Sequence, residues 1–369
     1  MGFDLAGITS AEAFVDKEEA IVQRIREGLM DGLPWFYETR ASRGCHPREV
    51  LPSARSIISL AISYHTPEPA TAQDGKLRGR VSRYAWNTDY HKVIDKKLKA
   101  FIQRLREVGC GEARFYVDTG PVPDRAVAHR AGIGWYGKNT NILTDGFGSQ
   151  VFLAEVLTDL DLEPDAPSKK GCGRCSKCIP SCPTAAIVSP YVLDNRRCIA
   201  YLTIEHCGAI PRDLRPLMGT WVFGCDICQD VCPVNRKAFS ATESSFSFTA
   251  LGQSHPDLLA ILEMSEADFL ERFGKTPVKR AKLLGLKRNV CVALGNLGDR
   301  VAIPELIVAL RHGEPLLRGH AAWALGRIGG EGALSALLEA SSSEQDPYVK
   351  EEISTALAGC SATLHNETR

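Results

Sequence analysis

The sequence predicts a multidomain fold in which an N-terminal α/β domain, a ferredoxin-like module and a C-terminal HEAT-like α-solenoid follow one another. Three observations predict it. Strand-like and helical segments alternate over residues 1–165, nine of the 13 cysteines fall within residues 166–240, and a helical pattern repeats over residues 250–369. A chain of 369 residues has room for two or three domains, and 44% apolar residues suffice for their cores.

The first part has the mixed periodicity of an α/β domain. Helical spacing alternates with β-like runs in five segments, which are residues 11–28, 56–64, 89–108, 114–118 and 150–158. The polar, proline-bearing stretch 159–171 predicts a loop or linker. We therefore expect this domain to end near residue 165.

The second part contains two cysteine runs. The first has the C-x2-C-x2-C-x3-C-P spacing of bacterial ferredoxins and consists of Cys172, Cys175, Cys178 and Cys182. The second is shorter and consists of Cys225, Cys228 and Cys232. It lacks a leading cysteine, for which Cys198 is the natural substitute. Eight thiolates then serve two 4Fe–4S clusters of four ligands each.

In such a run, the cysteine before proline reaches the other cluster. The predicted ligands of one cluster are Cys172, Cys175, Cys178 and Cys232. Those of the other are Cys182, Cys198, Cys225 and Cys228. Two alternatives stay open, because CxxC pairs also bind structural zinc and Cys207 is an alternative to Cys198. The cysteines without ligand spacing are expected to be ordinary reduced thiols: Cys45, Cys110, Cys291 and Cys360.

The third part contains a repeat with a period near 31 residues. VALGNLGD at 292–299 recurs as WALGRIGG at 323–330, with a fainter echo at 355–360. Two helical patterns per unit at this period are typical of an α-solenoid with short repeats of the HEAT type. The alternative is a plain helical cap on the core.

One glycine pattern is misleading. Gly132, Gly134 and Gly137 match G-x-G-x-x-G, but a helical pattern precedes them and an extended one follows. A dinucleotide site requires the reverse order, so we expect none here.

Asp118 is the first candidate for chemistry, because it ends a β-like run, where ligands of α/β sheets are met. An aspartate before Thr-Gly-Pro is also a common turn former.

Net charge and targeting signals indicate how the protein could bind nucleic acid and where in the cell it is expected. The net charge is zero, so nucleic-acid binding would need a local patch. The sequence shows no membrane span, secretory signal or twin-arginine pair, which predicts a cytoplasmic protein with reduced cysteines. The sequence does not decide the oligomeric state, and a monomer is the default expectation.

Residues 114–142 point to a known family. The stretch VDTGPVPDRAVAHRAGIGWYGKN at 117–139, followed by the double cysteine pattern, resembles epoxyqueuosine reductases, which act in the last step of queuosine biosynthesis. RYAWNTDYH at 83–91 and YLTIEHCGAIP at 201–211 are similar to that family too. So is the order of catalytic domain, two-cluster module and helical repeats.

The resemblance implies an oxidoreductase that removes the epoxide oxygen with two electrons and two protons. It implies a cobalamin cofactor, reduced through the two clusters and bound mainly by the first domain. Asp118 matches the proposed proton donor beside the cobalt. That role needs a pKa raised towards neutrality, and Phe115, Val117 and Trp135 are candidates for an apolar wall around it. The positions that match the other cobalamin contacts are Ser82, Arg83, Tyr84, Asn139, Ile142 and Ser149.

The resemblance also implies a macromolecular substrate. This is tRNA with a GUN anticodon, for Tyr, His, Asn or Asp, modified at the wobble position. A run without acids is the expected phosphate-binding surface: Lys275, Lys279, Arg280, Lys282, Lys287 and Arg288. Its simpler interpretation is a solvated helix face. The electron donor is unidentified, with flavodoxin or ferredoxin as examples.

Three other functions compete with this one. A corrinoid reductive dehalogenase shares the first two modules, but those proteins normally have a twin-arginine signal and no repeats. A non-catalytic ferredoxin-type electron carrier would bind no corrinoid. An RNA-binding repeat protein with structural clusters would leave Asp118 without a role.

Overall fold

The computed structural model describes residues 1–70, 74–246 and 251–367, and it forms two compact units. The first contains the described residues of 1–68, 86–198 and 226–249, and the second those of 69–85, 199–225 and 250–369. Each unit therefore draws on separate stretches of chain. The domain boundaries near residues 165 and 240 stay a prediction.

The first unit is built on a four-stranded antiparallel sheet. Its strands are β1 (Leu5–Ser10), β2 (Ser56–Ser63), β4 (Ala113–Tyr116) and β7 (Val151–Thr158), in the order β1-β2-β7-β4. Every residue of β2 is buried. A strand covered on both faces is mostly apolar without alternation, as this one is.

Helices and a hairpin complete the α/β part of this unit. The helices are α1 (Val15–Arg26), α2 (Glu38–Cys45), α3 (Pro47–Val50), α4 (Tyr90–Glu107) and α5 (Asp124–Arg130). The hairpin pairs β5 (Gly134–Tyr136) with β6 (Ile142–Thr144). The five segments predicted from periodicity are thus confirmed as α1, β2, α4, β4 and β7. The glycine pattern begins after a helix and enters a strand, as expected.

The cysteine-rich segments of this unit contain only short elements. They are α6 (Cys178–Ser181), the pair β8 (Ile187–Ser189) and β9 (Val192–Leu193), and α8 (Ile227–Asp230), with 3₁₀ turns at Asn195–Arg197 and Asn235–Lys237. Helices α6 and α8 pack on each other. They bring the two cysteine runs together.

The second unit is mainly helical. It opens with β3 (Arg80–Val81), paired parallel with β10 (Trp221–Phe223), and with α7 (Ile199–Ile204) and 3₁₀ turns at Arg83–Ala85 and Arg215–Met218. The helices that follow are α9 (Leu251–Ser254), α10 (Leu258–Glu263), α11 (Glu266–Phe273), α12 (Lys282–Leu297), α13 (Ile303–Leu310), α14 (Pro315–Ile328), α15 (Glu331–Ser343) and α16 (Pro347–Glu367). Two more 3₁₀ turns are Pro277–Ala281 and Arg300–Ala302.

The sequence repeat marks the contacts between stacked helices. A Cβ atom on Gly295 of α12 would lie 2.6 Å from Trp323 of α14, and one on Gly326 would lie 2.8 Å from the Ala356 Cα of α16. The repeated glycine is needed because the helices approach closely at that position. The solenoid prediction is confirmed. No helix in the described ranges is both long and apolar enough to cross a membrane.

Candidate active site and iron–sulfur module

Tight turns organise the first cysteine run. The Cys175 amide donates to the Cys172 carbonyl at 3.0 Å, and the Cys182 amide donates to Ile179 at 3.2 Å. Gly173 has φ +53°, a conformation that favours glycine. Such a path directs closely spaced thiols to one side of the chain, as a cubane cluster requires.

The thiols of the first predicted cluster lie near one another. Burial raises the pKa of the Cys178 thiol, and the charges of Cys172, Cys232 and Cys175 add to this effect. These four residues are the predicted ligand set. A bound metal offsets the energetic cost of a buried thiolate, because the metal holds a coordinating thiol in its deprotonated form.

Three cysteines of the second predicted set lie in the first unit, namely Cys182, Cys198 and Cys228, whereas Cys225 belongs to the second unit. Burial raises the pKa of the Cys228 thiol strongly, and Cys198 makes the largest charge contribution, with a smaller one from Cys182. The Ala186 amide donates to the Cys182 sulfur at 3.3 Å, a contact of the kind that tunes cluster potentials. Cys225 stands three residues before Cys228 in the second run.

Cys207 has a different environment from Cys198. It is exposed, and its charge acts on Arg288 rather than on the cluster thiols of Cys178 or Cys228. This favours Cys198 as the ligand. None of the twelve cysteines with described side chains forms a disulfide.

Three of the remaining cysteines are buried, as expected for ordinary reduced thiols. Burial raises the pKa of Cys45 to about 11 and that of Cys291 to about 12. The Cys110 thiol contacts the Thr158 hydroxyl at 3.2 Å. The side chain of Cys360 lies outside the described residues.

No group of three or more histidine, cysteine, aspartate and glutamate side chains in the described ranges is arranged to hold a metal ion. The fit of the module to clusters therefore depends on its donor chemistry. Eight cysteines in the ferredoxin order, three of which act on the fourth, Cys178, are what two 4Fe–4S clusters need.

Asp118 lies just after β4 in a strained turn. Its φ is +59°, and the Thr119 amide donates to the Val117 carbonyl at 2.5 Å, which closes a γ-turn around it. A non-glycine residue in this conformation is rare, and such strain is concentrated at functional sites. The role of Asp118 in the chemistry stays a prediction.

Tyr90 orients the Asp118 carboxylate. Its hydroxyl donates to Asp118 Oδ2 at 2.6 Å, and its buried ring stacks on Phe152 with centroids 4.2 Å apart. The predicted enclosure of Asp118 is wrong: its side chain is exposed, although Val117 and Trp135 are buried. The turn directs the carboxylate outwards while its apolar neighbours point into the core.

Three of the predicted cobalamin contacts lie in the first unit and are buried. Asn139 Nδ2 donates to the Cys228 carbonyl at 3.2 Å, and the Ser149 amide donates to Asn235 Oδ1 at 2.7 Å. Ile142 is buried in β6. The two polar side chains thus connect the α/β part to the segment that carries the second cysteine run.

The other predicted contacts belong to the second unit. Ser82 and Arg83 are buried, the Ser82 amide donates to the Phe223 carbonyl at 2.8 Å, and the Tyr84 ring lies 6.1 Å from that of Phe223. These residues follow β3, whose partner strand contains Phe223. Their role in cobalamin binding stays a prediction.

The predicted phosphate-binding run divides into an exposed and a buried part. The exposed residues are Lys275, Lys279, Arg280 and Lys282. Lys287 is buried, and Arg288 is 1% exposed and donates to the carbonyls of Leu202, His206 and Gly208. The prediction is therefore wrong for Arg288, because its guanidinium holds the 201–211 segment, and Lys287 is nearly as inaccessible.

Sequence reasoning missed two acids near Asp118. Glu155 interrupts the apolar strand β7 and is fully buried, and Asp124 begins α5 with one carboxylate oxygen buried. A single acid within VFLAEVLT was the signal that pointed to the first. Nothing in the sequence around Asp124 distinguished that residue.

Comparisons with known proteins agree with this architecture. Residues 45–119 match the family model described as Epoxyqueuosine reductase QueG, DUF1730. Residues 171–235 match a 4Fe-4S double cluster binding domain, and residues 285–358 match HEAT repeats. The fold class is confirmed, and two 4Fe–4S clusters are supported over structural zinc.

Full-length relatives decide the family. The epoxyqueuosine reductase of Pseudomonas aeruginosa is 41% identical over 335 residues, which cover 89% of this chain and 92% of the relative. That of Bacillus cereus is 36% identical over 371 residues, which cover 97% and 94%. The chain belongs to the epoxyqueuosine reductase family. The resemblance that the sequence motifs indicated is confirmed.

A solved epoxyqueuosine reductase resembles the whole chain. It was crystallised with an epoxyqueuosine-modified tRNA-Tyr stem loop, and the match has a TM-score of 0.91 at 33% identity. It covers 98% of this chain and 96% of the other. This member of the epoxyqueuosine reductase family therefore has the complete architecture of that enzyme.

Proposed function

We propose that this chain reduces epoxyqueuosine in tRNA to queuosine. The observation that carries the proposal is the match, over 98% of the chain, to an epoxyqueuosine reductase that holds a modified tRNA stem loop. The reaction adds two electrons and two protons to the epoxide, whose oxygen leaves as water and whose carbons form a double bond. The chain must therefore supply an electron path, an acid and a surface for tRNA.

The electron path would be the two 4Fe–4S clusters. The cysteines that would hold them are the two sets grouped around Cys178 and Cys228. Clusters pass electrons singly, so a two-electron reaction needs a centre that collects both. The physiological donor would be a small redox protein such as flavodoxin or ferredoxin.

Cobalamin is the proposed collecting centre, and when bound it would supply the low-potential electron pair for breaking the carbon–oxygen bond. The residues present fit such a group. The hairpin β5–β6 contains the buried Ile142, and the indole N–H of Trp135 on the same hairpin has no acceptor among the described residues. A buried donor of this kind suits the amide oxygens of a corrin ring. Asn139 and Ser149 would contribute from the adjoining loops.

Asp118 would provide the proton for the departing oxygen. Tyr90 donates to Oδ2, so the other carboxyl oxygen is the one that can carry a transferable proton. The strained turn around Asp118 fixes the direction of the carboxyl group. A positioned acid of this kind typically accelerates a reaction by about 10²–10⁴.

The tRNA surface would include Lys275, Lys279 and Lys282, which are exposed in the second unit. Arg280 is exposed too but forms an ion pair with Glu205. Contacts to phosphates would give the complex a marked salt dependence. A tRNA substrate places the reaction in the cytoplasm, and we propose that the enzyme acts as a monomer.

The decisive experiment uses the full chain with its clusters, reconstituted with cobalamin and reduced. It is incubated with epoxyqueuosine-containing tRNA, and the nucleosides are analysed by mass spectrometry. We expect conversion to a product that lacks one oxygen atom, dependent on added cobalamin. Unchanged epoxyqueuosine with intact clusters and bound cobalamin would overturn the proposal.

A further inference from the structure

One buried hydroxyl joins two chain segments that end at predicted cluster ligands. Thr203, in α7, is 0% exposed, and its hydroxyl donates to the Ile199 carbonyl at 2.7 Å. The same oxygen accepts from the Gly224 amide at 2.9 Å. Ile199 directly follows Cys198, and Gly224 directly precedes Cys225. Thr203 is therefore bonded to the chain neighbours of two of the four predicted ligands of the second cluster.

The chemistry of a hydroxyl group allows this double role. It has one hydrogen to donate and two lone pairs that accept, so one threonine can connect a carbonyl to an amide. The Gly224 amide is buried, and a buried amide that loses its acceptor is costly. The end of β10 and the start of α7 cannot separate at this point without breaking one of the two bonds.

Gly224 sets the direction in which the chain leaves β10 towards Cys225. Its φ is +69°, a conformation that favours glycine. A Cβ atom on Gly224 would lie 2.4 Å from the Ser82 Cβ, so the chain passes closely beside the residue that follows β3. The Ser82 amide in turn donates to the Phe223 carbonyl at 2.8 Å. The segment before Cys225 is thus held at two points, by Thr203 and by Ser82.

Helix α12 of the solenoid holds the same two segments. Asn289 is 0% exposed, and its Nδ2 donates to the Thr203 carbonyl at 2.9 Å and to the Val222 carbonyl at 2.8 Å. The Arg288 guanidinium donates to Asn289 Oδ1 at 2.9 Å. Because a guanidinium only donates, the oxygen of the amide must face Arg288 and the nitrogen must face the two carbonyls. Both amide hydrogens then have acceptors, as a rigid buried network requires.

This network acts on ligands that need positioning from outside the cysteine runs. Cys198 belongs to neither run, so the spacing of the runs does not place it. Side chains behind metal ligands fix the direction of those ligands and tune the metal. We propose that Thr203 is a positioning residue for the second cluster, which holds the segments of Cys198 and Cys225 in the geometry that the cluster needs, with Asn289 keeping Thr203 in place. This inference rests on the clusters of the proposed function and not on its substrate.

The first experiment compares the two clusters within one protein. The full chain with its clusters is prepared as Thr203→Val, which keeps the shape of the side chain and removes the hydroxyl. Iron release to a chelator is then followed without oxygen. We expect about half of the iron to leave about 10–100-fold faster than in the wild type, and the rest to leave at the wild-type rate. Thr203→Ser keeps a hydroxyl and should restore slow release.

The second experiment is a redox titration followed by electron paramagnetic resonance. The potential of a cluster depends on hydrogen bonds to its sulfurs and on its exposure to solvent, both of which change when its ligands move. We expect Thr203→Val to shift the midpoint potential of one cluster and to leave that of the other unchanged. Neither experiment requires tRNA or turnover.

Thr158→Val is the matched control for the loss of a buried hydroxyl. Thr158 lies in β7 at 0% exposure, and its hydroxyl accepts from the Leu160 amide at 3.2 Å. It also contacts the thiol of Cys110, which is not a predicted cluster ligand. Thr158→Val should lower the melting temperature, as Thr203→Val should, but it should release iron from both clusters at the wild-type rate.

The outcomes separate this inference from the ligand assignment and from the reaction. Wild-type release in Thr203→Val, or equal acceleration for both clusters, would overturn the inference, provided that Cys225→Ala loses one cluster. Two intact clusters in Cys225→Ala would overturn the ligand set itself. If Thr203→Val does not fold, Thr203→Ala should show the same selective release. A chain that fails to reduce epoxyqueuosine would still show it, so failure of the proposed reaction is distinguishable.

Discussion

The cysteine module and the surroundings of Asp118 are assembled in opposite ways. In the module, the donors of each run stand two or three residues apart and local turns bring them together. Around Asp118, the hydrogen-bond donor Tyr90 lies 28 residues away and the acid Glu155 lies on another strand. Chemistry that depends on local spacing is visible in a sequence, whereas chemistry assembled by a sheet is not.

The largest effect is expected in the cysteine module, whose ligands are brought together by local turns. Cys228→Ala removes one ligand from a four-ligand set, so iron and sulfide should fall from about eight of each per chain to about four. Turnover should be undetectable, because the electron path is interrupted. Cys207→Ala is the matched control and should keep both clusters, since that thiol is exposed and lies beside Arg288. Cluster loss in the control, or stoichiometric zinc without sulfide, would contradict the ligand assignment.

The next largest effect is expected at Asp118, whose surroundings come from distant parts of the chain. Asp118→Asn keeps the size of the side chain but removes the transferable proton, so turnover should fall by about 10²–10⁴. Iron content and the visible spectrum of bound cobalamin should stay unchanged. Turnover close to that of the wild type would show that the proton comes from elsewhere.

A smaller effect should follow from loss of the Tyr90 hydroxyl. A hydrogen bond to a charged group is worth about 1.5–3 kcal/mol, so Tyr90→Phe should lower kcat by about tenfold or more if that bond orients the acid. Tyr37→Phe, at an exposed tyrosine, is the control. A change of less than twofold in Tyr90→Phe would limit Tyr90 to packing against Phe152.

The smallest effect on turnover is expected from changes in the predicted phosphate-binding run. Replacing Lys279 and Lys282 with Gln should weaken tRNA binding and lower the salt slope of binding by about one unit per lysine. Arg288→Gln is the contrasting variant. It should leave the salt slope unchanged and destabilise the fold by about 3 kcal/mol, because three carbonyls lose a charged donor. A changed slope in a folded Arg288→Gln protein would contradict this division.

The predicted phosphate-binding run also shows what could not be predicted from the sequence. All six residues have the same charge and lie within 14 positions of one another, yet four are exposed and two are buried. Only the packing of α12 against the 201–211 segment separates them. The sequence alone does not distinguish a buried arginine that donates to backbone carbonyls from an exposed arginine that binds phosphate.

The sequence by itself determined the three-part architecture, the family and the eight candidate thiols. Periods of 2, 3.6 and 31 residues and fixed cysteine intervals are properties of the chain order, so they need no tertiary information. The tertiary structure alone decided the exposure of Asp118, its bond to Tyr90 and the burial of Glu155 and Arg288. Those features depend on which distant segments a sheet or helix stack places side by side, and on the low polarity that this packing creates.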